Sequence, residues 1–163
     1  MDTHSTHSIP SVNHGLVSAG SGRRRLIIRD LIAQHRKALI VTVHLFMPGI
    51  RDDLRLSGMK ALLYDVHAKP DQHAAVLEAF DRLDAGALVT SAIAASKLHF
   101  NIPLLLFAEC SVGLRSKEIL DVIRHSGARH IHYVNCNFGA EPFATREVLG
   151  LQSASHPSPK LHH

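Results

Sequence analysis

Polar side chains with phosphate-binding chemistry directly follow two predicted strands of this sequence. Thr42 and His44 come at the end of the β-branched run 37–43, and Thr90 and Ser91 follow a short apolar strand. The carboxyl ends of parallel strands meet at one edge of a sheet, where open α/β folds bind their ligands. Hydroxyls and backbone amides at such an edge, above the start of a helix, suit phosphate oxygens. The pattern therefore predicts an anion-binding rim.

Four cations are candidates for contact with an anionic partner. Arg23, Arg24 and Arg25 stand together at the start of the first predicted helix, and Lys97 lies one to two turns beyond the second pair of hydroxyls. Three adjacent arginines suit a polyanion such as a phosphate backbone. The helix dipole disfavours arginines at a helix N-terminus, which favours an external anionic partner. The alternative is a solvated helix start.

The other polar candidates also have a structural interpretation. Thr90 and Ser91 can simply cap the next helix. His130 and His132 alternate along a strand and share one face, which can bind zinc, but no third ligand is apparent and a structural role is favoured. Asp65 follows an apolar run and places a carboxylate at a strand end, either as a ligand or as a loop residue. The sequence thus predicts no metal site.

A nucleotide-binding loop is the first motif to test in a fold of this kind. The segment 15–21 has two glycines at the spacing of a phosphate-binding loop, but Ser21 stands where the loop needs lysine, and no strand is predicted before it. Without that lysine nothing reaches the β- and γ-phosphates. We expect no nucleotide cradle and no cofactor in this chain.

Composition bounds the class of protein. The 163 residues suffice for one domain with a sizeable core, and the 18 Lys and Arg against 14 Asp and Glu permit an anionic partner. The 14 histidines should make anion binding sensitive to pH. Cys110 and Cys136 are far apart in the sequence and favour a reduced, cytoplasmic protein over a disulfide scaffold. The apolar runs are too short to span a membrane, so no membrane partner is expected.

Strand and helix patterns alternate along the chain. Right-handed crossovers between such elements predict a three-layer α/β/α fold, with a mainly parallel sheet of about five strands. Residues 1–21 are expected to be a disordered arm, 22–137 the domain, and 138–163 a flexible tail. The predicted strands are 37–43, 60–64, 87–89, 102–107 and 129–134, and the predicted helices are 24–35, 50–56, 70–83 and 116–125.

Three segments carry a resemblance to a known family. The segment 36–42 is similar to a K-x-L-I-F strand, 72–80 resembles Q-x-x-R-x-x-x-L-x-x-F, and 88–99 resembles L-V-A-T-D-x-A-A-x-G-x-D. In this order the segments resemble the second, C-terminal RecA-like domain of superfamily 2 helicases, the DEAD-box group. The resemblance covers 24–134. It implies a RecA-like fold that stands alone, without the domain that carries the phosphate loop.

The sequence departs from the family in the residues that matter for motor chemistry. Lys97 and His99 replace the glycine and the final aspartate of the third segment, and His73 replaces an arginine of the second. The motif Q-R-x-G-R-x-G-R falls in 121–129. There His125 stands in place of one arginine.

The finger arginine of that last motif is missing in an ungapped alignment. Ala128 takes the place of the second later arginine, and Arg124 and Arg129 each lie one position away from a finger position. Such an arginine contributes about 10³ to 10⁵ in phosphoryl-transfer rate, and neither alanine nor neutral histidine replaces its forked charge. We expect no hydrolysis by this chain alone.

The resemblance implies contact with nucleic acid rather than catalysis. Family members touch the nucleic-acid backbone with the residue that matches Thr90 and with residues beyond the first strand, which here include His44. Such contacts position a strand without reading its sequence. We expect a non-catalytic module that binds nucleic-acid backbone, a protein partner or both within a larger assembly. The alternatives are a purely structural subunit, and a small unrelated enzyme that uses Asp65 or a histidine.

Overall fold

Six strands form one parallel sheet in the computed structural model, which describes residues 13–17, 20–110 and 116–136. The strand order is β1-β6-β5-β2-β4-β3, so β2 lies inside the sheet and β1 and β3 lie at its edges. In chain order the elements are β1 (Asn13–Val17), α1 (Ser21–His35), β2 (Lys37–Val41), a 3-10 helix (His44–Phe46), α2 (Met47–Leu56), β3 (Ala61–Leu63), α3 (Pro70–Arg82), β4 (Gly86–Thr90), α4 (Ala92–Lys97), β5 (Leu104–Ala108), α5 (Ser116–Ser126) and β6 (His130–Val134).

Helices cover both faces of this sheet. Alternate residues of the central strands point to opposite sides, so that Ala38 and Ile40 face α1 and α2, whereas Leu39 and Val41 face α3, α4 and α5. Every residue of β4 and β5 is buried. Strands that are covered on both faces need continuous apolar runs rather than alternation, which is the pattern in the sequence.

The predicted three-layer α/β/α fold with a parallel sheet is confirmed. The five predicted strands correspond to β2 through β6, and all pairings in the sheet are parallel. The strand predicted from residue 102 begins only at Leu104. Proline has no backbone N–H for the ladder, and here the Pro103 carbonyl instead accepts a bond from the His130 N–H at 3.2 Å.

The N-terminal boundary differs from the prediction of a disordered arm over 1–21. Residues Asn13–Val17 form β1, which pairs with β6 in parallel, and α1 already begins at Ser21. An edge strand needs a partner on one side only, so backbone pairing with β6 can form it from a sequence of weak strand propensity. Residues 1–12 and the predicted tail 138–163 lie outside the described residues.

The strand ends define two edges that are used below. The end where the strands finish is named the carboxyl edge, and the end where they begin is named the amino edge. Because α1 follows β1, its first turn lies at the carboxyl edge, whereas the last turn of α5 leads into β6 and lies at the amino edge. No helix in the described part of the chain is both long and apolar enough to cross a membrane.

Candidate functional site

Two of the predicted rim hydroxyls lie inside the protein. Thr42 directly follows β2, and Thr90 is the last residue of the neighbouring strand β4. The Thr42 N–H donates to the Thr90 carbonyl at 3.0 Å. Both residues are buried. The Thr90 hydroxyl donates to the Tyr64 carbonyl at 3.0 Å and so ties β4 to the end of β3. The Thr90 hydroxyl therefore serves the fold and is not part of an external contact surface.

The two threonines differ in one respect that can be tested. The Thr42 hydroxyl is buried and has no hydrogen-bond partner among the described residues, unlike that of Thr90. An unsatisfied buried hydroxyl costs free energy, whereas a satisfied one stabilises the fold by about 1 kcal/mol.

We expect opposite results when each threonine is replaced by its isostere valine. Thr90→Val should lower the free energy of unfolding by about 1–2 kcal/mol, because the Tyr64 carbonyl loses its donor. Thr42→Val should leave stability unchanged or raise it by up to about 1 kcal/mol. Urea unfolding of both variants measures the difference. Equal losses in the two variants would contradict this assignment.

The remaining rim candidates on and near α4 have separate roles. The Ser91 hydroxyl accepts a bond from the Ala94 N–H at 3.4 Å and caps α4, as the structural interpretation had it. Lys97 is exposed and lies in the last turn of α4. A helix of this length runs back from the carboxyl edge by about 9 Å, so Lys97 is set apart from the strand ends.

The three adjacent arginines are not equivalent. The Arg24 guanidinium is largely buried and contacts two carboxylates, Asp53 at 3.2 Å and Glu109 at 3.4 Å. Arg23 and Arg25 are exposed, and neither has an acidic partner within the described residues. Arg24 therefore connects the first turn of α1 to α2 and to the end of β5, whereas its two neighbours keep their charges available at the carboxyl edge.

His44 lies at the same edge, at the start of the 3-10 helix. It is exposed, and its ring meets that of His67 edge to face with 5.8 Å between the centroids. The next two side chains are apolar and face solvent, with Leu45 82% and Phe46 39% exposed. Ile93 of α4, which follows the neighbouring strand β4, is 54% exposed. The carboxyl edge thus combines exposed cations with an exposed apolar surface.

The degenerate finger region lies at the amino edge. Arg124 is exposed and pairs with Asp121 at 3.8 Å, and Arg129 is exposed in the turn before β6. The His125 ring packs against the His99 ring, tilted by 38°, with 4.1 Å between the centroids. The sheet therefore separates these residues from the candidates at the carboxyl edge, and the structure does not bring the two groups together.

Three histidines cluster where the end of α1 meets the start of β6. The rings of His35 and His130 lie 4.3 Å apart, and His132 follows on the same face of β6. Desolvation, and to a lesser degree the neighbouring His130, lowers the pKa of His35. Desolvation, followed by the nearby His35 and His130, lowers the pKa of His132. No group of three metal-ligating side chains with metal-binding geometry occurs among the described residues.

This cluster predicts a stability that depends on pH. Because the pKa values of His35 and His132 are lowered in the folded state, the unfolded chain binds more protons below the ordinary histidine value of about 6.5. The free energy of unfolding should therefore fall as pH drops below 6.5. His132→Gln should flatten this dependence, and the exposed His67→Gln should not. Thermal unfolding between pH 5 and 8 checks this, and an unchanged slope in His132→Gln would refute it.

A groove of about 410 Å³ beside β3 holds the residues of the alternative enzyme hypothesis. The Asp65 carboxylate accepts a bond from the His67 N–H at 2.9 Å, within its own turn. The His73 ring stacks on Tyr64, and its Nε2 lies 2.6 Å from the Asp65 carbonyl oxygen. The imidazole therefore meets a backbone carbonyl and not the carboxylate, so these two groups do not form an acid–base pair.

Two residues of the carboxyl edge have no counterpart in the predictions. Glu109 follows β5 and Asn135 follows β6, both with φ of 56°, and the Asn135 amide donates to the Glu109 carboxylate at 2.6 Å. Left-handed backbone is uncommon for residues other than glycine, and less expected for glutamate than for asparagine. The sequence carries no local signal for it, because the pairing of β5 with β6 creates this contact.

The fold of this chain is defined by its strand order, its all-parallel sheet and the helices on both faces. The chain has the fold of the C-terminal RecA-like domain of DEAD-box helicases. No protein-family model and no curated protein matches the sequence. The likeness therefore rests on structure.

Three solved structures illustrate the likeness. The C-terminal domain of the DEAD-box protein Dbp5 matches with a TM-score of 0.65 at 7% identity, over 93% of this chain and 88% of that one. The RNA-helicase Prp28 from Chaetomium thermophilum gives 0.70 at 15% identity, over 88% of this chain but only 38% of Prp28. Escherichia coli SrmB, in complex with RraA, gives 0.65 at 10% identity, over 88% of this chain and 84% of that one.

Proposed function

We propose that this protein is a non-catalytic, helicase-C-like module that binds nucleic-acid backbone at the carboxyl edge, as part of a cytoplasmic nucleic-acid-processing assembly. The observation that carries the proposal is the pair Arg23 and Arg25. Both are exposed at the first turn of α1 without an acidic partner in the described part of the chain, although Arg24 between them is neutralised. His44 at the same edge adds an exposed imidazole whose ring nitrogens can hydrogen-bond to phosphate oxygens.

The chemistry of this surface favours binding without sequence preference. Guanidinium groups bind phosphate oxygens through forked hydrogen bonds, and phosphate contacts do not read bases. Aromatic residues make up only 5% of the chain, so little base stacking is expected. Affinity should be modest and should fall steeply with salt.

We propose a non-catalytic module because residues that the chemistry of the family needs are replaced in this sequence. No lysine stands at the phosphate-loop position of the segment 15–21, and His125 and Ala128 stand where the finger arginines are expected. Arg124 and Arg129, one position away, lie at the amino edge rather than beside the exposed cations. The chain also corresponds to only 38% of the RNA-helicase Prp28.

A protein partner at the same edge is the second candidate, and the exposed apolar side chains favour it. Leu45, Phe46 and Ile93 are an unusual surface for a rim that contacts only phosphates. SrmB, which shares the fold, is seen in complex with the protein RraA. In this alternative the apolar surface is buried by a partner, and the arginines form the polar surroundings of that interface.

A pair of charge-matched double variants tests the leading proposal. Arg23→Ala/Arg25→Ala should weaken the binding of a single-stranded RNA by about tenfold near 0.1 M salt and reduce the salt slope by roughly 1.4, because two phosphate contacts are lost. Arg124→Ala/Arg129→Ala removes the same charge from the amino edge and should have little effect. Fluorescence anisotropy at several salt concentrations measures both.

The possible outcomes separate the two candidates. Equal weakening in both double variants would mean that only net charge matters, and it would overturn the proposed site. No binding at low salt would remove the nucleic-acid role and leave the protein partner. In that case Leu45→Ser/Ile93→Ser should abolish the co-purification of a partner while leaving thermal stability unchanged.

A further inference from the structure

The two cysteines of the chain occupy matched positions on neighbouring strands. The last paired residues of β5 and β6 are Ala108 and Val134, and Cys110 and Cys136 each follow two residues later. The prediction treated them as unrelated because they are distant in the sequence. Neighbouring strands lie about 4.8 Å apart, and disulfides join residues whose Cα atoms are about 4.4–6.8 Å apart. The register therefore places the cysteines at a separation that a disulfide can bridge.

The residues that precede the two cysteines also occupy equivalent positions, directly after β5 and β6. Glu109 and Asn135 both adopt left-handed backbone with φ of 56°, and their side chains are hydrogen-bonded to each other at 2.6 Å. The same conformation at both positions turns both strands in the same way as they leave the sheet. Arg24 holds Glu109 from the other side at 3.4 Å. The backbone before the cysteines is thus fixed by a network that does not involve the thiols.

The two thiols differ in exposure. Cys110 is buried, with its Sγ 3.5 Å from the Val41 carbonyl oxygen, and Cys136 is half-buried, with its Sγ 3.1 Å from the Phe107 carbonyl oxygen. The neighbouring Cys136 side chain, followed by burial, raises the pKa of Cys110. Cys136 is therefore the sulfur that an oxidant can reach. Cys110 is the buried sulfur that would react second.

We propose that Cys110 and Cys136 form a redox-active dithiol that oxidises to an intramolecular disulfide and joins the ends of β5 and β6. The oxidant is a hydroperoxide or a low-molecular-weight disulfide. This modification site is independent of nucleic-acid binding. Its two features are one accessible sulfur and one buried sulfur, already aligned by the register of two parallel strands.

The reaction with hydrogen peroxide has two steps. The Cys136 sulfur attacks one peroxide oxygen, the O–O bond breaks, and sulfenic acid forms with release of one water. The Cys110 sulfur then attacks the sulfenic sulfur, the S–O bond breaks, the disulfide forms, and a second water leaves with the thiol proton. Two electrons pass from the two sulfurs to the peroxide. With glutathione disulfide, two exchange steps give the same product and two molecules of reduced glutathione.

Intact mass spectrometry of the full chain tests the proposal. After treatment with a small excess of hydrogen peroxide, the monomer should lose about 2 Da, and dithiothreitol should restore the mass. A non-reducing peptide map should then contain one peptide pair joined through Cys110 and Cys136. The oxidised protein should also have a higher melting temperature than the reduced one, because the disulfide restricts the unfolded chain.

A cysteine variant and the identity of the oxidation products provide the test that could overturn the proposal. Cys110→Ser should leave Cys136 as sulfenic acid or as a mixed disulfide with glutathione, without an intramolecular link. In the wild-type protein, a disulfide-linked dimer, or sulfinic acid on Cys136 with Cys110 still free, would overturn the proposal. The wild-type measurement stands even if Cys110→Ser does not fold.

Discussion

Gly86→Ala is expected to lower the free energy of unfolding by about 3 kcal/mol. Gly86 opens β4 with φ of 144°, a conformation that residues with a Cβ rarely adopt. A Cβ at this position would lie 2.6 Å from the Lys60 carbonyl oxygen and 3.0 Å from a Leu83 methyl. The Lys60 carbonyl cannot withdraw, because it accepts the Ala87 N–H at 2.9 Å. The backbone strain and the steric overlap of the new Cβ therefore both lower the free energy of unfolding.

Gly49→Ala is the matched control for this substitution. Gly49 lies in α2, and a Cβ there meets nothing within 4 Å. Because alanine favours the helix over glycine, the control should be neutral or gain up to about 1 kcal/mol. Guanidinium unfolding compares the two variants. If Gly86→Ala were as stable as the wild type, the close approach of β4 to the loop before β3 would be refuted.

Arg24→Met is expected to cost about 2 kcal/mol of stability. The methionine keeps the apolar stem but removes the charge that holds Asp53 and Glu109, whose side chains are 34% and 19% exposed. Breaking a partly buried pair by deleting one partner leaves uncompensated carboxylates, which costs more than the pair contributes in net terms. Thermal and urea unfolding measure the loss.

Arg29→Met provides the control on the same helix. Arg29 pairs with its neighbour Asp30 at 3.1 Å, but both side chains are well exposed, 43% and 63%. Exposed pairs of this kind contribute little, so this variant should stay within about 0.5 kcal/mol of the wild type. If the two variants were equally stable, Arg24 would be a surface cation, and it would return to the candidates for phosphate contact.

The sequence predicts the sheet well because burial on both faces leaves a strong local signal. The runs that become β2, β4 and β5 are continuous and apolar, and Pro70 and Gly86 mark the start of α3 and of β4. β1 is missed because its strand state comes from pairing with β6 and not from its own composition. Propensity is a weak guide for edge strands, whose partner is distant in the sequence.

The candidate site is less predictable, since it depends on where side chains point. Arg23, Arg24 and Arg25 are identical in the sequence, and only the positions of Asp53 and Glu109 distinguish the middle one. Strand periodicity also cannot tell that residues 26 positions apart, such as Glu109 and Asn135, are neighbours, because register is a tertiary property.

The resemblance to helicase segments predicted the fold correctly at identities of 7% to 15% with the solved structures described above. It was less informative about roles. Thr90 matches a threonine that touches nucleic acid in the family, but here its hydroxyl donates to the Tyr64 carbonyl inside the protein. A shared fold fixes where the backbone runs, whereas function depends on the side chains placed on it.

Photo-crosslinking of a 4-thiouridine-containing single-stranded RNA to the full chain at low salt tests the central claim most directly. We predict that mass spectrometry will find the crosslinked peptides around Arg23 and Arg25 in the first turn of α1 and around His44 in the 3-10 helix, and that the yield will fall as salt is raised. Crosslinks confined to the amino edge around Arg124 and Arg129, or no crosslinks at low salt, would contradict the proposal of a nucleic-acid contact at the carboxyl edge.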